Sequence, residues 1–131
     1  MFRKDPAARG EWSENNVRQC AARQDDILRE AWRALRPGGT LIYDTNGITR
    51  HPVRTDIKVY TIDATAESAR LGQSKLFNTM ILGGYLKVCP VVKMENVMVG
   101  LKKSLPERAW KMLPQNEEAI KHGGEIIRQV R

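Results

Sequence analysis

The chain contains 131 residues, of which 41% are hydrophobic, and it carries a formal net charge of +7. This length and composition suit one ordinary domain with a modest core. The most apolar stretch, Met80 to Leu86, is broken by Gly83 and Gly84 and is shorter than the ~18 residues that a membrane span needs. The N-terminus also lacks the pattern of a secretory signal. We therefore expect a single cytoplasmic domain that makes no membrane contact.

The charge pattern and the cysteines argue against two further kinds of site. The basic residues are scattered among acidic ones without aromatic platforms between them, which disfavours nucleic acid as a partner. Cys20 and Cys89 lie far apart and form no CxxC motif or Cys/His cluster, so neither a disulfide nor a metal site is indicated. We interpret both cysteines as reduced, buried thiols.

The first predicted element is an amphipathic helix from about Glu14 to Arg36, with Ser13 as its N-cap and Pro37 as its stop. Apolar residues at three-and-four spacing predict a buried face, made of Val17, Cys20, Ala21, Ile27, Leu28, Ala31, Trp32 and Leu35. The opposite face is polar and contains Arg18, Arg23, Asp25, Asp26, Arg29, Glu30 and Arg33.

Two short β-rich segments follow, Thr40 to Tyr43 and Ile57 to Ile62, separated by a polar loop. A helix, a Pro-Gly-Gly turn and two such strands are typical of an α/β layered domain. We predict a small domain of this class, in which a short sheet is flanked by amphipathic helices. Parallel pairing of the two strands is favoured but not required.

The rest of the chain is predicted to be helical. Thr65 to Leu71 and Ser74 to Leu86 have helical spacing, and Gly83 and Gly84 mark either a close backbone approach or a weak point. A further helix face runs from Met94 to Leu101 and ends at Leu105-Pro106. The last helix should be capped by Asn116 and reach Val130; Gly123 and Gly124 within it cost roughly 1 kcal/mol each relative to alanine, so it needs tertiary contacts.

Four successive segments in the downstream part of the chain resemble the same protein family. They read GGTLIYDTN at 38–46, PVRTDIKVYTIDATAESARLG at 52–72, KLFNTMILGGYLK at 75–87 and VKMENVMVGLKKSLPER at 92–108. Residues 37–131 thereby resemble the C-terminal half of the gamma subunit of 2-oxoacid (2-oxoglutarate or pyruvate):ferredoxin oxidoreductases. In that family the thiamine diphosphate and the iron–sulfur clusters are held mainly by other subunits. The resemblance therefore implies a component of a complex that carries no cofactor of its own.

The upstream part has a second resemblance, carried by MFRKDP at 1–6, EWSENNV at 11–17, CAARQDDIL at 20–28 and LRPGGTLIY at 35–43. Residues 1–43 resemble a fragment of the Sun-family RNA cytosine-5 methyltransferases. The two resemblances overlap only at PGGTLIY, 37–43, which suggests a chimera joined there, natural or engineered. We expect a single domain, 1–131, made of a methyltransferase-like helical segment, 1–36, and a gamma-subunit-like segment, 37–131.

Neither resemblance brings a complete active site. The methyltransferase reaction needs a cysteine thiolate that attacks the pyrimidine ring, and alignment of the strand implies that Asn46 stands at that position. The methyl donor site of that family lies upstream of the matched segment. No cluster of cysteines suits an iron–sulfur centre. We therefore assign no catalytic, cofactor-binding or metal residues, expect no cofactor, and do not expect the chain to be an enzyme on its own.

Three groups of residues remain candidates for binding. Asp44, Thr45 and Asn46 follow the first strand, where open α/β sheets present ligand groups, although a polar turn explains them too. Asp63 and Thr65 lie at a helix start that could attract an anion, although ordinary N-capping is an equal explanation. A basic stretch could dock onto an acidic partner subunit or simply face solvent; it contains Lys102, Lys103, Arg108 and Lys111.

The leading functional hypothesis is a catalytically incomplete domain with a structural or interaction role. One alternative is a subunit of a 2-oxoacid:ferredoxin oxidoreductase complex, and another is residual RNA binding by the methyltransferase-like segment. Relative to a complete gamma subunit, the strands preceding the Pro-Gly-Gly turn are missing, which should expose a sheet edge. We expect a dimer that pairs edge strands or packs the helices around 76–86 and 94–101. The alternative is a monomer, in which the helix 14–36 covers enough of the apolar surface.

Overall fold

The computed structural model describes residues 13–130. Its five helices are α1 (Glu14–Ala34), α2 (Ala64–Arg70), α3 (Phe77–Val88), α4 (Met94–Ser104) and α5 (Leu113–Ile126). Its three strands are β1 (Thr40–Asp44), β2 (Lys58–Ile62) and β3 (Arg128–Gln129), and short 3-10 turns cover Ser74–Leu76 and Glu107–Met112. The predicted α/β class is confirmed.

The sheet has the order β1-β2-β3. β1 and β2 are parallel, with Leu41 opposite Val59, whereas β2 and β3 are antiparallel. The parallel pair agrees with the prediction. β3 was missed because its two residues, Arg128 and Gln129, are polar and exposed and lack the apolar alternation by which strands are recognised.

The core is divided between the two faces of this sheet. Because side chains alternate along a strand, Leu41 and Tyr43 point to one face and Ile42 points to the other. The first face is covered by Leu28 of α1 and holds Leu41, Tyr43, Ile57 and Val59. The second lies under α2, α3 and α5, and holds Ile62, Ala64, Leu76, Met80 and Ala119.

Helices α3 and α5 touch main chain to main chain. A Cβ atom added to Gly83 would lie 1.9 Å from the carbonyl oxygen of Ile120, and one added to Gly123 would lie 2.0 Å from that of Met80. Of the two alternatives for Gly83, a close backbone approach or a weak point, the close approach is therefore confirmed, and Gly123 makes its counterpart. This contact also covers the apolar side of α3 within the chain, since Met80 is fully buried.

Helix α1 begins as predicted, because the Ser13 hydroxyl accepts a hydrogen bond from the Asn16 amide at 3.1 Å. Its burial is smaller than predicted. Leu28 is buried and Trp32 is half-buried, but Val17 and Ile27 are 50% and 63% exposed. The helix spacing identified one face correctly, but the sheet is too narrow to cover that whole face.

Two predictions about α1 and the cysteines are wrong. Asp25, placed on the solvent face, is buried, since its carboxylate accepts hydrogen bonds from the amides of Thr49 at 2.9 Å and Arg50 at 3.2 Å and from the Thr49 hydroxyl. These bonds lower the pKa of Asp25, the Thr49 hydroxyl most of all. Cys20 is exposed and Cys89 is only partly buried; Cys20 lies on the part of α1 that the sheet does not cover.

The C-terminus of α1 is held by Arg54. Its guanidinium donates hydrogen bonds to the carbonyl oxygens of Trp32 at 2.6 Å and Leu35 at 2.8 Å, and it pairs with Asp56. The hydrogen bond to Asp56 raises the pKa of Arg54 and lowers that of Asp56. Carbonyls in the last turn of a helix have no partner within it, so Arg54 satisfies groups that would otherwise be unpaired.

The last helix also differs from its prediction. It starts at Leu113, with Pro114 in its first turn, and ends at Ile126 before Val130 is reached. Asn116 is not its N-cap: its side chain donates to the Met112 carbonyl and accepts from the Thr79 hydroxyl, each within 3.0 Å. Proline is well suited to a first helical turn, and the Asn116 amide instead bonds α5 to α3.

Candidate functional site

The carboxyl end of β1 is tied to the start of α2 by Asp44. One carboxylate oxygen of Asp44 accepts from the Asn46 amide at 2.8 Å, and the other accepts from the Thr65 amide at 2.9 Å. Asp63, at the N-cap position of α2, makes no capping hydrogen bond with its side chain. Capping by the Asp63 side chain, one of the alternatives for this helix start, is therefore wrong, since Asp44 supplies that acceptor from the neighbouring strand.

The predicted ligand-facing residues separate onto two sides of this carboxylate. Thr45 and Asp63 share a small pocket of about 360 Å³ with Glu67 and Arg128. Asn46 lines a different and larger cleft. The amide of Thr65 is already paired with Asp44, so an anion at this helix start would have to displace a carboxylate. Ligand binding by these five residues stays a prediction.

The larger cleft, of about 910 Å³, follows the outer edge of β1 and is called the edge cleft below. One wall is a stripe of α1 side chains, and the other is formed by Thr65 and Phe77. Because Leu41 and Ile42 both line it although they point to opposite faces, the cleft wraps around the strand. Sequence reasoning predicted an uncovered edge here but not the overhanging helix.

A second cluster of charged groups joins α2 to α5. Arg70 binds the Glu67 carboxylate through hydrogen bonds as short as 2.7 Å. Nε2 of His122 lies 3.3 Å from the same carboxylate, close enough for an ion pair when the imidazole is protonated. Mainly because of Arg70, and with a smaller effect from His122, the pKa of Glu67 is lowered to about 2. Sequence spacing could not bring Glu67 and His122 together.

The Glu67 cluster predicts a dependence of stability on pH. Since the pKa of Glu67 falls from 4.5 to about 2 on folding, its stabilising effect is complete above 4.5 and is lost as the pH drops towards 2. Urea unfolding at a series of pH values should show Glu67→Gln losing less stability over this window than the unaltered chain. Glu14→Gln, at a carboxylate 83% exposed beside Arg18, is the control, and identical pH profiles for Glu67→Gln and the unaltered chain would contradict the assignment.

The predicted basic stretch lies around the start of the second 3-10 turn. Lys102, Lys103, Arg108 and Lys111 are exposed. The Lys102 ammonium lies 5.0 Å from the ring centre of Trp110, whose indole N–H donates to the Lys102 and Leu105 carbonyls. This contact fixes the turn and leaves Lys103 and Arg108 in solvent. Docking through these cations stays a prediction.

Residues 13–130 contain neither a cluster of metal ligands nor a helix suited to span a membrane. This part of the chain has no group of three or more His, Cys, Asp or Glu side chains arranged to hold a metal ion. In the same residues, no helix is both long and apolar enough to cross a bilayer.

Comparison with known proteins identifies the family. The sequence model of the pyruvate ferredoxin/flavodoxin oxidoreductase family matches residues 3–126. The chain belongs to this oxidoreductase family. The match confirms the resemblance seen in the downstream segments and extends it towards the N-terminus, across α1.

The methyltransferase resemblance is also confirmed, over a shorter part of the oxidoreductase-family chain. The chain is 46% identical over 50 residues to the ribosomal RNA small subunit methyltransferase F of Pectobacterium atrosepticum. These residues make up 38% of this chain and 10% of that protein. The corresponding enzyme of Pectobacterium carotovorum is 49% identical over 45 residues, and that of Escherichia coli O9:H4 is 46% identical over 50. The chain spans about a tenth of the length of these curated relatives.

Proposed function

We propose that the chain is a recombined, catalytically incomplete member of the oxidoreductase family, with a structural or interaction role as a homodimer in the cytoplasm. Its similarity to two kinds of protein supports recombination: the oxidoreductase family model matches residues 3–126, and the methyltransferases align with 38% of the same chain. The whole activity of either parent needs parts that this chain does not match.

The observation that carries the proposal is that the Asp44 carboxylate is fully engaged by main-chain amides. Open α/β sheets bind ligands at the carboxyl ends of their strands, and Asp44 is the acidic group at the carboxyl end of β1. Both of its carboxylate oxygens accept main-chain amides, from Asn46 and Thr65. A carboxylate engaged in this way holds the loop and α2 in place, which supports a structural role for the position.

The assay that tests catalytic incompleteness is methyl transfer. With S-adenosylmethionine and a cytosine-containing RNA, we expect no 5-methylcytosine, because the resemblance places Asn46 where the nucleophilic cysteine would stand. Asn46→Cys should stay inactive as well, since a thiolate alone cannot bind the methyl donor.

The purified chain should likewise fail to reduce ferredoxin when supplied with a 2-oxoacid and coenzyme A. Formation of 5-methylcytosine or of reduced ferredoxin by the unaltered chain would overturn the proposal. A complete enzyme of either parent family, run in parallel, confirms that each assay detects its product.

A second candidate is a subunit that joins a larger oxidoreductase complex. Membership of the family favours it, and the exposed cations Lys103 and Arg108 suit an acidic partner surface because complementary charge guides association. In this case the chain would still lack its own cofactor. Co-elution with the other subunits of a 2-oxoacid:ferredoxin oxidoreductase distinguishes it from a free homodimer.

A further inference from the structure

Within residues 13–130, strand β1 pairs through only one of its two sides. The Lys58 amide donates to the Gly39 carbonyl at 2.9 Å, and the Thr45 amide donates to the Ile62 carbonyl at 3.0 Å. In a parallel ladder, alternate residues of a strand bond to the same neighbour. The odd-numbered residues of β1 therefore bond to β2, and its even-numbered residues turn their main-chain groups away.

The outward groups belong to Thr40, Ile42 and Asp44. No strand within residues 13–130 pairs with this side of β1, and no main-chain hydrogen bond in that part of the chain reaches it. A row of unpaired amides and carbonyls is a template for an added strand. The α3 helix offers no comparable surface, because α5 covers it.

The edge cleft provides room and cover for such a strand. On one face of the sheet, α1 reaches past β1; on the other, Phe77 and Thr65 rise beside the strand. Among the lining residues in the described part of the chain, 13–130, Asp44 is the single charged one. Because an unpaired charge is costly to bury, the occupant must be an extended segment with an uncharged, mainly apolar centre.

We propose that the occupant is β1 of a second copy of this chain, paired antiparallel about Ile42. This register sets Ile42 against Ile42, and it sets Thr40 of each copy opposite Asp44 of the other. No like charges meet, and a hydroxyl faces a carboxylate that it can donate to. The pairing is closed by a two-fold axis, as most homo-oligomers are, and it joins the two sheets into one of six strands.

The exposed side of α1 is explained by the same pairing. A two-fold axis perpendicular to the sheet keeps α1 on the same face in both copies, so the two helices flank each other above the joined edges. Val17 and Ile27, 50% and 63% exposed in the single chain, line the cleft on this side. The inference rests on the homodimer of the proposed function and names its surface.

The first test places a charge in the cleft. Size-exclusion chromatography with light scattering should give twice the monomer mass for the unaltered chain, and Ile27→Lys should shift the dimer dissociation constant upward by at least tenfold. Val99→Lys, at a side chain 53% exposed on α4 and outside the edge cleft, is the matched control and should remain dimeric.

The second test removes a main-chain donor. Ile42→Pro deletes an N–H that faces away from β2, so the β1–β2 ladder keeps its bonds while the dimer loses both hydrogen bonds of its central pair, one from each copy. Ile42→Val, which keeps the N–H, should still dimerise. Circular dichroism shows whether the proline variant is folded; if it is not, Ile27→Lys decides.

Three results would overturn the inference. The unaltered chain could be a monomer at every concentration, it could co-elute as a monomer with oxidoreductase subunits, or it could form a dimer that both Ile27→Lys and folded Ile42→Pro leave intact. The last result would keep the homodimer and reject only this surface. The methyl-transfer and ferredoxin assays do not depend on the oligomeric state, so they test catalytic incompleteness independently of this dimer surface.

Discussion

Replacing Gly123 with alanine should destabilise the fold by roughly 3 kcal/mol or more, at the upper end of the range for overpacked positions. The new Cβ would lie 2.0 Å from the Met80 carbonyl oxygen, so the two helices would have to move apart. Main-chain atoms on α3 cannot rotate away as a flexible side chain can. Thermal and urea unfolding measure the loss.

Gly124→Ala is a matched control at the next position of the same helix. Its Cβ would meet its nearest neighbours at 3.6 and 3.7 Å, an ordinary contact distance. Because alanine favours helix over glycine by about 1 kcal/mol, this variant should be as stable as the unaltered chain or more so. Equal destabilisation by the two substitutions would show that the close crossing at Gly123 is not the cause, because the Gly124 Cβ makes no comparably short contact. Gly83→Ala, with its Cβ 1.9 Å from the Ile120 carbonyl oxygen, should repeat the Gly123 result.

Truncating Leu28 to alanine should cost about 2 kcal/mol, the lower bound for a buried leucine. Leu28 is 7% exposed and is the buried apolar residue of α1 in the core beneath it, where Trp32 also packs but stays only partly buried. The lower bound applies because the neighbouring edge cleft lets the surrounding side chains relax. Urea unfolding in dilute solution, where self-association adds little, gives the value for the single chain.

Ile27→Ala provides the comparison for Leu28→Ala. Ile27 is the preceding residue on α1 but is 63% exposed, so its truncation should change the free energy of unfolding by less than about 0.5 kcal/mol. If both variants unfold alike, α1 does not dock on the sheet through Leu28, and the assignment of the core beneath α1 is wrong.

Local signals in the sequence predicted much of the fold. Ser13 caps α1, Leu105-Pro106 ends α4, and the β-rich segments at 40–43 and 57–62 form two parallel strands. Each depends on side chains close together in the sequence. The glycines at 83 and 84 also signalled a close contact, although nothing in the sequence named Ile120 as its partner.

The errors share a physical cause: helical spacing shows which side chains share a face but not what lies against them. Asp25 belongs to the polar face by spacing, yet it is buried against a loop twenty-four residues away, whose amides donate hydrogen bonds to its carboxylate. Cys20 belongs to the apolar face, yet the sheet ends before reaching it. Asn116 looks like a helix cap in the sequence, but its side chain accepts a hydrogen bond from Thr79 on another helix. The candidate site depends on the same kind of long-range contact, such as the hydrogen bond from the Thr65 amide to the Asp44 carboxylate.

The two polar contacts that fasten α1 are directed mainly at main-chain groups. Arg54 binds the carbonyls that end α1, and Asp25 binds the amides of the loop after β1. Every helix ends in free carbonyls, whatever its side chains, so the Arg54 side chain recognises a shape common to all helices. A segment of unrelated ancestry can satisfy it at once, provided that it ends at the right place. Exchange of helices at this position would thus need few later mutations, which makes the segment before the Pro-Gly-Gly turn a permissive site for gene fusion and for the design of hybrid domains.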